Sequence, residues 1–288
     1  MKTLNIIGCG RVGRSLAQLW RVAGTFVIQD VLTTSEASAR SAVQFIGAGS
    51  AVQSLQAMRA ADVWMLAVPD GQIARVAAEL AQYVGVQPIG PAAAIAFHCS
   101  GAMAADVLSP LRAMKCQLAS AHCILSFSSP VTAVAQFAGT PCALEGDAAA
   151  TQSLHTAFAA IGAQPFALAA EHKVLYHAAA VFATNFLPVL QVVAADLWRN
   201  TGVPEELIAP LSASLLSNAV QNITSQGAAQ ALTGPAARGD MAVVTVQGKA
   251  VADWNVDAGQ AYQALSTLAR QIARDGHLQG HIKGTQHD

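Results

Sequence analysis

The chain has 288 residues, of which 53% are hydrophobic and only 11% charged, and its formal net charge is −1. That length suits two domains with separate cores, and the near-zero charge gives no electrostatic reason to expect nucleic acid or an anionic membrane as a partner. Soluble domains carry roughly a quarter charged residues, so charge this sparse predicts that part of the surface is covered in an oligomer. The five cysteines, Cys9, Cys99, Cys116, Cys123 and Cys142, form no Cys-x-x-Cys pair and no metal-ligand spacing with histidine. Met1-Lys2-Thr3 runs straight into an apolar strand, without a leader pattern. These features predict reduced thiols, a cytoplasmic location and no metal site.

Apolar runs predict strands at Leu4–Ile7, Phe26–Val31, Val63–Val68, Ala94–His98, Gln117–Ala121, Cys142–Leu144 and Pro165–Leu168. Helical stretches lie between them at Arg11–Val22, Gln72–Val84, Ala102–Met114 and Ala148–Ile161, the second capped by Asp70. Alternating strand and helix implies a parallel sheet covered on both faces, an α/β domain. Beyond about residue 170 the pattern turns wholly helical, at Glu171–Thr201, Glu205–Ser225, Ala242–Ala252 and Asp257–Asp275. The predicted division is therefore an N-terminal Rossmann dinucleotide-binding domain over 1–168 and an all-α C-terminal domain over 169–288, with a frayed tail after Asp275. Val174–Ala195 carries no charged residue and is long enough to cross a bilayer. It is rich in alanine and holds His177, Thr184, Asn185, Pro188 and Gln191, which points instead to a helix buried between subunits or domains. Pro188 is expected to bend it near Thr184.

The first strand leads into Gly8-x-Gly10-x-x-Gly13, which opens the first helix. Position turns a weak motif into a specific one. Gly8 permits the tight turn, Gly10 lets backbone approach a pyrophosphate, and Gly13 lets helix and strand pack closely. The helix N-terminus offers free N–H groups to phosphates. Gly8, Cys9, Gly10, Arg11, Val12 and Gly13 are thus the predicted cofactor turn. Asp30 lies at about the distance at which an acidic residue grips the ribose 2′-OH of NAD. If the second strand instead runs to Leu32, then Thr33, Thr34 and Ser35 can accommodate the 2′-phosphate of NADP, with Arg11 or Arg40 pairing with it. NADP is favoured, with NAD open. Ala67-Val68-Pro69 ends another strand and is expected to wall the cofactor while joining strand to helix.

In the second half, Lys173, His177 and Thr184 fall within about 40° of one helix face at about 100° per residue, with Asn185 further round. Polar groups on an apolar helix need partners, and a crevice lining or buried hydrogen bonds would both supply them. Lys173, His177 and Asn185 are the candidate catalytic residues. Ser100 and His122 follow strand ends and are candidate substrate contacts. The thiols of Cys99 and Cys123 have no neighbour in sequence that would activate them, and Ser100 lacks the context of a hydrolase nucleophile. LTGPAARGD, residues 232–240, reads as a broken turn in which Gly234, Pro235 and Asp240 are structural. Arg238 is a candidate substrate or anion contact.

Taken together, GCGRVG, AVPD, FHCSGAM, ALEGD, HKVLYHAAAVFATN and LTGPAARGD resemble bacterial Rossmann-like proteins with a helical C-terminal domain, often named NADP oxidoreductases. These lie near pyrroline-5-carboxylate reductase, ketopantoate reductase and the 6-phosphogluconate and 3-hydroxyacid dehydrogenases. The resemblance covers nearly the whole chain, and the last two motifs are its specific ones. It implies hydride transfer between a nicotinamide cofactor and a small polar carbonyl or imine, and a homodimer formed through the helical domain. It matches Lys173 to a catalytic lysine, but places His177 where the dehydrogenases carry asparagine. That departure leaves a second expectation, a non-catalytic NADP-binding sensor or regulator.

Overall fold

The computed structural model describes residues 1–84 and 93–280; the last eight residues of the expected tail lie outside them. The chain divides into two compact units, Met1–Thr184 and Asn185–Asp288. Lys173–Thr184 clusters with the sheet-bearing first unit, whereas sequence pattern alone drew the line at 168/169.

The first unit runs β1 (Lys2–Ile7), α1 (Arg11–Val22), β2 (Phe26–Leu32), α2 (Glu36–Ile46), β3 (Ser50–Val52), β4 (Val63–Leu66), α3 (Asp70–Val84) and β5 (Ile95–His98). After a 3-10 segment at Ala105–Met114 come β6 (Gln117–Cys123), α4 (Pro130–Gln136), β7 (Pro141–Gly146), α5 (Ala148–Ala159), β8 (Gln164–Ala167) and α6 (Lys173–Ala180). The eight strands form one sheet in the order β3-β2-β1-β4-β5-β6-β7-β8. Its pairs are parallel except β6–β7, where Cys123 faces Cys142 and Ala119 faces Gly146. The all-parallel expectation fails at this pair because α4, seven residues long, turns back at the end of β6, and Ile124 N–H closes the return on Pro141 O at 2.9 Å. The segment predicted as a helix over Ala102–Met114 is 3-10, and it contains Pro110, which has no N–H to donate.

Alternate residues of the central strands enter two cores. Leu4, Ile6, Val63, Met65 and Phe97 pack under α1 and α5, with Trp20 and Phe158, while Ile7, Trp64, Leu66 and Ala96 pack under α3 and the 3-10 segment. The strands are therefore apolar on both faces, as a sheet covered by helices on both sides requires. Trp20 meets Phe26, Phe97 and Phe158 edge-on, and its indole N–H donates to Ala157 O at 2.9 Å.

The expected helix Glu171–Thr201 is interrupted. A 3-10 turn at Ala170–His172 precedes α6, then a π-helical turn spans Val181–Asn185. Pro188 cannot donate to the carbonyl of residue 184, and the π turn just before it takes up the mismatch. The second unit continues with α7 (Phe186–Asn200), α8 (Glu205–Gln226), α9 (Pro235–Arg238), α10 (Met241–Trp254) and α11 (Val256–Asp275). By length and composition, Ala170–Asn200 could cross a membrane. Its first turns, however, are held by hydrogen bonds between Lys173 and Ser120 and between Tyr176 and His122.

Candidate functional site

β1, β4, β5 and β6 are mutually parallel, so their carboxyl ends share one edge of the sheet, the edge where ligands bind in open α/β folds. At β1 the chain turns through Gly8, φ +78°, whose N–H donates to Leu32 O at 2.8 Å. A Cβ on Gly8 would overlap Val68 Cγ1 and come within 2.8 Å of Ala67 O; one on Gly13 would come within 3.0 Å of Gly8 O. Gly10 faces open space, with no heavy atom within 4 Å of where its Cβ would stand. α1 begins there with neither a side-chain cap nor an acidic residue in its first turn. Open backbone beside uncapped N–H groups fits a pyrophosphate. Arg14 braces the turn, donating to Cys9 O at 3.1 Å and to Ser41 Oγ at 3.2 Å.

Beside this turn is a cavity of about 410 Å³, lined by Gly8, Thr33, Thr34, Gln53, Val68 and Arg75, among others. β2 does run to Leu32, so Thr33 and Thr34 follow its end. Asp30 lies inside the strand, 1% exposed, and holds the Arg59 guanidinium at 2.6 Å and the Arg59 N–H at 2.7 Å. It is a structural anchor and is absent from the cavity lining. Arg40 is paired with Glu36, and Arg11 is exposed at the start of α1.

From Val68, packed against Gly8, the chain passes Pro69 to Asp70, which opens α3 rather than preceding it. Its carboxylate accepts from Ser100 Oγ at 2.8 Å. That hydroxyl also accepts from the N–H groups of Ala102 and Met103, so it shapes the turn after β5. Ser100 N–H donates to His98 Nδ1 at 3.1 Å, and His98 Nε2 meets Ala104 O at 3.2 Å. Burial holds the His98 pKa down at about 4.

Gly101 is where this turn meets the helix carrying the second set of polar residues. A Cβ there would overlap His177 Cδ2 and lie 2.9 Å from both Cε1 and Nε2 of His122. The two imidazoles stand edge to face, centroids 5.6 Å apart, and His122 Nδ1 lies 3.0 Å from Tyr176 OH. Burial, then the neighbouring His177 and Lys173, hold His122 at about 4, and burial raises the Tyr176 phenol. Both are neutral at pH 7. If the phenol donates to Nδ1, then Nε2 carries its proton on the side of Gly101.

Lys173 is only 1% exposed. Its ammonium donates to Ser120 Oγ at 2.7 Å and to Ser100 O at 3.3 Å, and burial lowers its pKa. Burial also pushes the thiols of Cys9 and Cys99 up to about 12, which makes them poor nucleophiles. Among the described residues no group of His, Cys, Asp and Glu could hold a metal.

Residues 2–122 match the family model of the Rossmann-like domain, and residues 140–269 match that of DUF2520, a domain of unknown function. The chain joins a Rossmann-like domain to a DUF2520 domain. The DUF2520 match begins at β7, so it includes the last two strands of the sheet as well as α6 and most of the helical unit. No curated protein matches the chain. Among solved structures, protein TM1727 from Thermotoga maritima is similar at 25% identity, over 95% of this chain and 99% of that one, with a TM-score of 0.72. The Bacteroides fragilis protein BF3122, provisionally named an NADP oxidoreductase, shares 20% identity over 94% of this chain and 98% of its own, at 0.73. An imine reductase from Myxococcus stipitatus, solved with NADP+, shares 16% identity over 96% and 95%, at 0.60.

The Rossmann-like domain thus brings Gly8–Gly13, Thr33, Thr34 and Ala67–Pro69 to the edge that also carries Ser100 and His122, and the DUF2520 domain contributes Lys173 and His177. Asn185 opens the second compact unit, and Arg238 lies within it, on α9. Tyr176 lies outside the set predicted from sequence. It sits in the same HKVLYH run one residue before His177, but its phenol carries neither the charge nor the amide that marks its neighbours in sequence.

Proposed function

We propose that the protein is an NAD(P)-dependent oxidoreductase, with NADP preferred, that acts on a small polar carbonyl or imine. One observation carries this reading. A continuous line of contacts along the strand ends runs from the glycine turn through Val68, Asp70 and Ser100 to Gly101, His122 and His177. Gly8–Gly13 would hold the pyrophosphate, and Thr33 and Thr34 the ribose end, where the committed Asp30 offers no carboxylate to repel a 2′-phosphate. The bound nicotinamide supplies the hydride chemistry. His177, half-exposed above Gly101, is assigned as proton donor to the developing alkoxide or amine. His122, braced by Tyr176, fixes the His177 face. Buried Lys173 is a positioning residue: it ties Ser120 to the Ser100 carbonyl and supplies positive charge nearby. The names of the NADP-bound imine reductase and of the pyrroline carboxylate reductase from Plasmodium falciparum, also solved with NADP, support the cofactor and the substrate class. The exposed apolar side chains of the helical unit support a homodimer formed through it, and the reading places the protein in the cytoplasm.

The burial of Lys173 favours a second reading, an NADP-binding sensor without chemistry, because the expected proton donor does not front an open space. Titration calorimetry with NADPH and NADH, followed by turnover on a panel of keto acids and cyclic imines, tests both. NADPH binding with turnover supports the enzyme, and binding with none across the panel supports the sensor. If neither nucleotide binds, both readings fail. Gly101→Ala should leave NADPH affinity within about threefold and lower turnover by about 100-fold or more, by displacing His177 and His122.

A further inference from the structure

The segment Leu232–Asp240 carries more backbone constraint than a plain turn needs. Gly234 has φ +101° and ψ 176°, a conformation essentially closed to other residues. Pro235 sets the first position of α9, and Arg238 is its last residue. Gly239 then turns left-handed at φ +76°, and Asp240 caps α10 by accepting from Val243 N–H at 3.4 Å. Fixed on both sides, Arg238 shares a cavity of about 430 Å³ with one stripe of α11. Thr267, Arg270, Gln271 and Arg274 are spaced i, i+3, i+4 and i+7, so they stand on one helix face. Every polar side chain of this lining can donate a hydrogen bond, and none is a carboxylate.

The cavity's charge is only partly balanced. Asp275 holds Arg274 with both oxygens, at 2.8 and 2.7 Å. Among the described residues neither Arg238 nor Arg270 is ion-paired to a carboxylate. Arg270 and Arg274 are like charges one turn apart, which costs helix stability. In a chain with only 11% charged residues, two guanidiniums without a carboxylate partner beside a third are a local excess of positive charge that an anion would balance. We infer that this cavity binds a small ligand with a compact double negative charge, of the phosphate-monoester kind. The guanidinium forks of Arg238 and Arg270 would clasp it, and Thr267 and Gln271 would add donors. The inference rests on the helical unit alone and needs no nicotinamide cofactor.

Inorganic phosphate is the probe, with acetate as the monoanion, at matched ionic strength and on the full chain. Phosphate should bind at least about tenfold more tightly than acetate and raise Tm. The Arg238→Gln/Arg270→Gln double variant should lose about tenfold or more of that phosphate affinity. The glycine turn is unchanged in both proteins, so phosphate bound there cancels in the comparison. Both arginines are exposed, and the single Arg270→Gln variant, expected to lose about half the effect on a logarithmic scale, is a second route should the double variant misfold. Equal phosphate binding by wild type and variant, or equal binding of phosphate and acetate, would overturn the site.

Discussion

Trp20, Phe97, Phe137 and Phe158 are wholly buried in the sheet-bearing unit, whereas Val189, Val192, Val220 and Val246 of the helical unit stand 49–71% exposed. The two units draw on similarly apolar sequence and differ in what covers it. A sheet takes helices on both faces, so successive residues of a strand find partners on opposite sides. A helix buries only the stripe that meets a neighbour. In α8 and α10 apolar residues occur outside that stripe, and only Ile208, Val244 and Gly248 are buried. The sheet of the first unit is thus closed by its own helices, whereas α6, with Val174 and Leu175 70% and 76% exposed, and the second unit present apolar surface that their own packing leaves uncovered.

The sharpest way to break this comparison is to truncate one large side chain on each side. Trp20→Ala removes the ring at the centre of the aromatic group and the hydrogen bond to Ala157. It should cost about 3–5 kcal/mol in urea unfolding of the dilute protein. Val246→Ala, at a site 71% exposed, should change the same measurement by less than about 0.5 kcal/mol. Comparable losses would show that the helical unit has a core as tight as the sheet's.

Acid should also act on the first unit before the second. His98 is fully buried and keeps a pKa of about 4, against 6.5 for the free side chain. Between these values the unfolded chain takes up a proton that the folded one refuses. Stability is therefore complete above about pH 6.5 and falls as the pH drops towards 4. Between pH 7 and pH 5 the loss from this one group is on the order of 2 kcal/mol. His122 shifts in the same direction. The sole histidine described in the helical unit, His277, is exposed. Urea midpoints of wild type and His98→Asn at pH 7 and pH 5 test this: the wild type should lose about 2 kcal/mol more than the variant, and parallel losses would refute the assignment.

How much of this was legible in the sequence follows the same division. α1 was bounded at both ends, because Gly10 precedes it and its apolar spacing is regular. The central strands were found from their continuous apolar runs. β3 and α2 have no such signal, since Ser50–Val52 is three residues long and Glu36–Ile46 is a mix of serine and alanine with little apolar contrast. Thr33 and Thr34 stand in the sequence as the alternative to Asp30, and the pairing of Asp30 with Arg59 could not be read there, because Arg59 is 29 residues from its partner and carries no local signal. Lys173 stands out in the sequence as a charge on an apolar helix. That it turns inward to Ser120 could not be read from helical angles, which fix a direction but not the depth of the neighbour it meets. The guanidinium of LTGPAARGD lines one cavity with Arg270 and Arg274, which stand more than 30 residues on and give no sign of that proximity in the sequence.

The smallest change in the single chain should be the most informative about the helical unit. Val220 on α8 and Val246 on α10 are 49% and 71% exposed, so Val220→Ser/Val246→Ser should leave the stability of the dilute chain within about 1 kcal/mol of wild type. If a second copy covers these faces, each valine is buried on association, and full burial of such a side chain contributes about 1.5 kcal/mol or more. With about half to two-thirds of each valine left to bury, two copies of two substitutions then weaken the dimer by about 4 kcal/mol, a shift of roughly three decades in Kd. Sedimentation across a dilution series reads that shift directly. A wild-type dimer and a variant monomer at the same micromolar concentration would show that the uncovered surface is an interface. A wild type that stays monomeric would separate low charge from assembly, leaving the helical unit as one that tolerates its apolar face in water.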